Sequence, residues 1–287
     1  MDERKKGMLF IFICACLWSF TGLMTKLIPW NPIMLAGWRA LASGSVMFVY
    51  MKITHKKIRI NKQSLLVGAS VASSAFLCIA GHRMTTTANA VVLQYTAPVI
   101  LVILSRIFLK INYLRKDYIV VAIVMAGIVL FFMDELSPGN RIGNVCAVIS
   151  GVTYACMFLF TGNADEEMRY SGILIGAAMT FVVGAPFTFK YAYQVTPVTF
   201  GLAMLMGSLI HGLPYVFYAI SFKSCPPLAC SMISSVEIIL NPVWVFIAVG
   251  ELPGKWAFIG AVIIVATILL WIVSNSRDEK RLTEGTG

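Results

Sequence analysis

Ten long apolar runs separated by short breaks constrain this chain more than any other feature. They lie at about residues 7–28, 32–52, 64–81, 87–109, 117–133, 143–162, 171–190, 198–221, 227–249 and 256–274. A helix that crosses the hydrocarbon core of a bilayer needs roughly 20 such residues. In lipid, the backbone of such a segment must satisfy its own hydrogen bonds, which selects the α-helix. The sequence therefore predicts an all-α membrane protein with ten transmembrane helices. Charge agrees with this reading. Only 13% of the 287 residues are charged, against about 25% in an ordinary soluble domain. Ten spans leave no room for a sizeable soluble domain.

The net charge is +10. In a soluble protein that excess would suggest nucleic acid; here it is read through the positive-inside rule, with no nucleic-acid partner. With a cytoplasmic N-terminus, 16 of the 23 Lys and Arg fall in cytoplasmic tails and loops and 4 outside. This predicts a multi-pass protein of the cytoplasmic membrane with both termini cytoplasmic. Lys26, Arg39 and Arg106 lie within segments. Lys26 and Arg39 are placed toward the outer side, where long side chains snorkel to water. The first run follows Arg4, Lys5 and Lys6 but is too long for a signal peptide, so it is read as a retained span. The seven cysteines form no CxxC pair and read as packing residues, with no metal or other cofactor expected.

The chain repeats itself weakly. Gly7 to Thr25 laid on Gly143 to Thr161 aligns Ile13 with Ile149, Trp18 with Tyr154 and Leu23 with Leu159. The fourth and ninth runs each carry a mid-helix proline, Pro98 and Pro242. Two halves of five helices follow, residues 1–134 and 135–287. Five is odd, so the second half is inverted relative to the first. Inverted repeats with a site between them at the midplane characterise secondary transporters.

Particular residues then carry a family resemblance. They are Ala15-Cys16-Leu17-Trp18-Ser19 with Lys26, Arg39, Ala88 to Pro98, and Gly143 to Tyr154. The most specific stretch is Glu237-Ile238-Ile239-Leu240-Asn241-Pro242-Val243-Trp244, followed by Gly250-Glu251 and Gly260. In these the chain resembles the EamA type of the drug/metabolite transporter superfamily. The resemblance implies two inverted five-helix repeats, a central substrate cavity and alternating access. It departs at Lys110, where members often carry an acidic residue matching Glu251.

Glu237 is the one acidic residue deep in an apolar run. An intramembrane carboxyl marks a functional position by default. It is a candidate proton acceptor, or a counter-charge for a cationic or zwitterionic substrate; the plainer alternative is a protonated group bonded to a neighbouring helix. Helical spacing puts Cys230, Ser234, Glu237, Asn241 and Trp244 on one face. His211, the sole histidine within a span, shares a face with Ser208, Tyr215, Tyr218 and Phe222, and is the second proton-coupling candidate. Pro214 frees the carbonyl of Ile210 and predicts a bend there. Trp18, Tyr154, Tyr95, Tyr215 and Phe158 suggest an aromatic cavity wall suited to cations and planar rings. Gln94 is placed to orient a polar group. The candidate substrate-binding set is thus Trp18, Gln94, Tyr95, Tyr154, His211, Tyr215, Glu237 and Asn241. Small residues at Ser70, Ser73, Ser74, Gly81, Gly172, Gly176 and Gly184 predict close helix packing.

The functional expectation is a secondary transporter, monomer or homodimer, that moves a small organic metabolite such as an amino acid, amine or aromatic compound. No cation is placed at the midplane, so anionic substrates rank lower. A channel permeable to metabolites or cations, or a membrane sensor without transport, is the competing class. An enzyme is not expected: HExxH is absent, no Asp lies inside a span for an aspartyl dyad, and Gly250 to Lys255 lacks P-loop spacing.

Overall fold

A computed structural model describes residues 3–134, 136, 138, 140–249 and 254–284. Ser137 and Gly139, in the break between the proposed halves, and the Gly250-Glu251 pair lie outside the described residues. The side chains of Lys26 and Pro242 do as well.

Every apolar run is helical, and no strand occurs among the described residues. The helices are α1 (Glu3–Trp18), α2 (Thr21–Leu27), α3 (Pro32–Ile53), α4 (Lys62–Met84), α5 (Thr87–Gln94), α6 (Ala97–Leu109), α7 (Arg115–Phe131), α8 (Arg141–Asn163), α9 (Glu166–Gly184), α10 (Phe187–Tyr191), α11 (Pro197–Leu205), α12 (Leu213–Ser221), α13 (Pro227–Ser234), α14 (Val236–Val249) and α15 (Lys255–Glu284). Among the described residues seven helical stretches are long and apolar enough to cross a membrane, and the pair α9–α10, bent by 47°, makes an eighth. The chain is an all-α membrane protein. Helices α1 and α15 extend beyond the apolar runs into charged turns, because hydropathy marks the part in lipid while helix ends follow backbone propensity.

Several runs expected to be continuous are broken inside the bundle. The first divides at Ser19-Phe20, the fourth at Tyr95-Thr96 and the ninth at Ser235. Each break contains a hydroxyl residue that donates back to a carbonyl of the preceding turn. Ser19 Oγ donates to Cys16 O at 2.6 Å, Thr96 Oγ1 to Leu93 O at 2.7 Å, and Ser235 Oγ to Ser231 O at 3.3 Å. Away from water these bonds replace what the ladder loses. The eighth run is interrupted differently. Met206–Gly212 is π-helical between α11 and α12. The Leu213 N–H reaches Ser208 O, five residues back. Pro214 therefore sits just past a widened turn in place of a simple bend.

Close approach of backbones sets the helix positions. A Cβ on Gly37 of α3 would lie 2.7 Å from the Gly184 Cα of α9. One on Gly172 would meet Val67 Cβ of α4 at 2.5 Å. The π-helical turn packs on α3 through Gly207 and Gly212, whose added Cβ atoms would meet Arg39 O at 2.6 Å and Ser43 Cα at 3.0 Å. Five-residue spacing puts two glycines on one face of a π turn, which an α-helix does not do. The buried core runs through Trp18, Tyr95, Tyr154, Phe158 and Tyr218.

Candidate functional site

Two helix breaks meet in the core. Tyr95 is the C-cap of α5. Glu237 lies in the first turn of α14. The Tyr95 hydroxyl donates to Glu237 Oε2 at 2.9 Å. A half-helix N-terminus carries partial positive charge and favours a carboxylate in its first turn. Glu237 is partly buried, and Oε1 has no donor among the described residues. Asp117 offers a contrast. Its Oδ2 accepts from Leu114 N at 3.0 Å and its Oδ1 from Trp271 Nε1 at 2.8 Å. Both of its oxygens are occupied in capping α7 and anchoring α15, so Asp117 is a structural carboxylate.

Aromatic rings continue from this pair. Tyr95 meets Tyr154 edge-on, with centroids 5.9 Å apart, and Tyr154 meets Phe158 at 5.1 Å. Phe158 contacts Tyr218, which contacts Tyr215 and Trp18. Trp18 and Tyr215 are 5.6 Å apart, edge to face. The buried indole Nε1 of Trp18 finds no acceptor among the described residues. The structure thus brings Trp18, Tyr95, Tyr154, Tyr215 and Glu237 together. Gln94 is partly buried beside the α5–α6 break, and its side chain forms no hydrogen bond among the described residues. Asn241, one turn along the same face of α14, packs on α2, where a Cβ on Gly22 would touch its side chain at 2.3 Å. Trp244, one turn further on, donates to Ser19 Oγ at 2.7 Å and stacks on Phe20 at 4.4 Å. The polar face of α14 is therefore fitted to the α1–α2 break.

His211 and Arg39 form a second cluster. Arg39 Nη1 lies 3.1 Å from His211 Nε2, and Thr21 Oγ1 lies 3.3 Å from the same nitrogen. A guanidinium has donors only, so Nε2 must accept, and the imidazole is neutral with its proton on Nδ1. This corrects the expectation that Arg39 snorkels outward. The glycines of the π turn draw His211 against α3, and the guanidinium reaches inward to it. Arg39, Ser43, Thr180, His211 and Tyr215 line a cavity of about 20 Å³, room for about one water molecule. Tyr215 is in electrostatic range of both Arg39 and Glu237. Ser208, expected on the same face, bonds only to Met204 O and Leu205 O of its own helix.

A third cluster, which the sequence reading did not assemble, closes one end of the bundle. Glu166 at the start of α9 accepts from Lys56 at 2.9 Å and pairs with Lys223 at 2.6 Å. Glu167 pairs with Arg59 at 2.5 Å. The hydrogen bond to Glu166 holds the Lys56 ammonium above its ordinary pKa. The signal was present in the basic loop Lys52 to Lys62 and in Asp165-Glu166-Glu167, whose opposite charges face each other across loops distant in sequence. No group of three or more His, Cys, Asp or Glu converges on a metal position among the described residues.

Comparisons agree with this architecture. Residues 5–133 match the EamA-like transporter family. An S-adenosylmethionine uptake transporter of Rickettsia conorii (strain ATCC VR-613 / Malish 7) is 23% identical over 206 residues, 71% of this chain and 69% of that protein. The uncharacterized inner membrane transporter YedA of Escherichia coli (strain K12) is 22% identical over 209 residues, 70% of this chain and 61% of that protein. A crystal structure of a protein superposes with a TM-score of 0.80, covering 96% of this chain and 99% of that one at 16% identity. At that identity the likeness shows the fold alone.

Proposed function

We propose, from the match of residues 5–133 to the EamA-like transporter family and from the transporters it resembles, that this chain is an EamA-type member of the drug/metabolite transporter superfamily and a secondary carrier working by alternating access. Its substrate is a small organic metabolite: an amino acid, an amine or an aromatic compound. In this reading residues 1–134 and 135–287 are inverted halves, and both termini lie in the cytoplasm.

The observation that carries the proposal is the Tyr95–Glu237 bond. It joins the break in the fourth run to the break in the ninth. Discontinuous helices that meet in the middle of a bundle supply both a ligand site and hinges for opening to either side. The aromatic wall and the Glu237 carboxylate suit a ligand with a planar or cationic part. S-adenosylmethionine, named for one relative, combines a sulfonium cation with a planar base, so it is the first compound to test. Glu237 is the group we assign to proton coupling. His211 accepts from Arg39 through Nε2, and a proton on that nitrogen would break the contact, so we assign His211 to positioning.

The test is countertransport in proteoliposomes. A carrier gives saturable uptake that accelerates when unlabelled substrate is loaded on the far side. Unsaturable flux without trans-acceleration favours the competing channel and overturns the carrier.

A further inference from the structure

We propose that Arg39, seated on His211 and Thr21, is an anion subsite that holds the carboxylate of a zwitterionic substrate, while Glu237 faces its cationic end. This rests on the carrier reading above and narrows its substrate class.

A charged group inside a membrane is costly and is found paired, or else lining a route for a charged ligand. Arg39 has no carboxylate partner among the described residues, whereas Lys6, Lys56, Arg59 and Lys223 each pair with a glutamate. Its bond to the neutral His211 fixes the guanidinium in place without neutralising it. Arg39 has five N–H donors in a planar fork, and a carboxylate is the shape that fork accepts in two parallel bonds. The cavity beside it holds two hydroxyl residues, Ser43 and Thr180, together with Tyr215. The Ser43 and Thr180 hydroxyls donate to Ala40 O and Gly176 O of their own helices, which leaves the Tyr215 hydroxyl as the further donor to a bound oxyanion. At about 20 Å³, room for about one water molecule, the space as it stands takes one carboxylate oxygen and would widen to take the whole group. The rest would lie along Trp18 and Tyr215, Tyr215 being in electrostatic range of both Arg39 and Glu237. These two charges are of opposite sign. A monovalent amine would leave the guanidinium uncompensated, and a simple anion would face Glu237 without a counter-charge. A zwitterion satisfies both.

The experiment compares acids with their decarboxylated counterparts on the purified full-length chain. L-phenylalanine, L-methionine and S-adenosyl-L-methionine are each paired with the corresponding amine, and thermal stabilisation is read as a function of concentration. At least one acid is expected to half-saturate at about tenfold lower concentration than its amine. Arg39→Gln is expected to erase that preference, Arg39→Lys to retain part of it, and Glu237→Gln to weaken acid and amine together. Equal affinity for acid and amine in the wild type overturns the proposal, as does binding by none of the acids, or a preference that survives in Arg39→Gln. If Arg39→Gln does not fold, the wild-type comparison still decides. Saturable, trans-accelerated exchange of amines without acid preference would remove the carboxylate subsite and keep the carrier. Unsaturable flux of every compound would remove the carrier.

Discussion

The Tyr95 hydroxyl donates to Glu237 Oε2 across 2.9 Å and so ties the end of α5 to the start of α14. Neither residue caps its own helix through its side chain. Each sits at an interruption, and the bond crosses between segments far apart in sequence. A hydrogen bond to a charged group contributes about 1.5–3 kcal/mol. In the proposed alternating-access cycle that would be enough to bias which way the bundle is closed, and weak enough to be exchanged for a ligand.

Tyr95→Phe removes this bond while keeping the ring against Tyr154. Uptake in proteoliposomes is expected to fall by about tenfold or more, with the folded fraction by circular dichroism unchanged. Unaltered transport would show that the bond is incidental to the cycle.

Glu237→Gln keeps the shape of the side chain and removes its titration. Wild-type uptake is expected to follow an imposed pH gradient, and the variant's is not. A variant that transports at the wild-type rate with the same gradient dependence would take proton coupling away from Glu237.

Glu166→Gln weakens its contacts with Lys56 and Lys223 at one end of the bundle. Partly exposed ion pairs are worth about 0–1 kcal/mol each, so thermal stability should change little. If this end must open during transport, a shift in the balance between inward and outward states follows. Cysteine-accessibility labelling at that end should rise in the variant, and equal labelling would assign the cluster to stability alone.

Gly184→Val places a branched side chain where Gly37 Cα and Ile33 O already approach to within 2.6 Å of an added Cβ. Overpacking of this kind costs about 1–3 kcal/mol. The melting temperature of the purified protein should fall. Gly201→Ala, mid-helix in α11 with nothing within 4 Å of the added atom, is the control and should leave it unchanged or slightly raised.

Much of the bundle could be read from hydropathy, because a span must be apolar whatever its neighbours are. The aromatic wall and Glu237 were legible for the same reason: Trp18, Tyr95, Tyr154 and Tyr215 stand out in runs of aliphatic residues. The breaks were not legible. Ser19, Thr96 and Ser235 are small hydroxyl residues that a continuous helix also tolerates, and only the tertiary fit of α14 against α1 and α2 shows where the ladder opens. The position of Arg39 toward the outer side of its run suggests snorkelling, but its partner His211 lies on a segment far away in sequence, and the side chain carries the charge to it. The π turn depends on Gly207 and Gly212 meeting α3, a contact between segments far apart in sequence.

The hydroxyl groups at Ser19, Thr96 and Ser235 serve their own helix backbones. The rings proposed to face a ligand are different residues. On that reading flexing and recognition are encoded separately, and substitutions on the aromatic wall would redirect the transporter toward new compounds while its joints stay intact. One scaffold can in this way diversify its cargo by drift at a few surface-like positions inside the bundle, without inventing a new way to move.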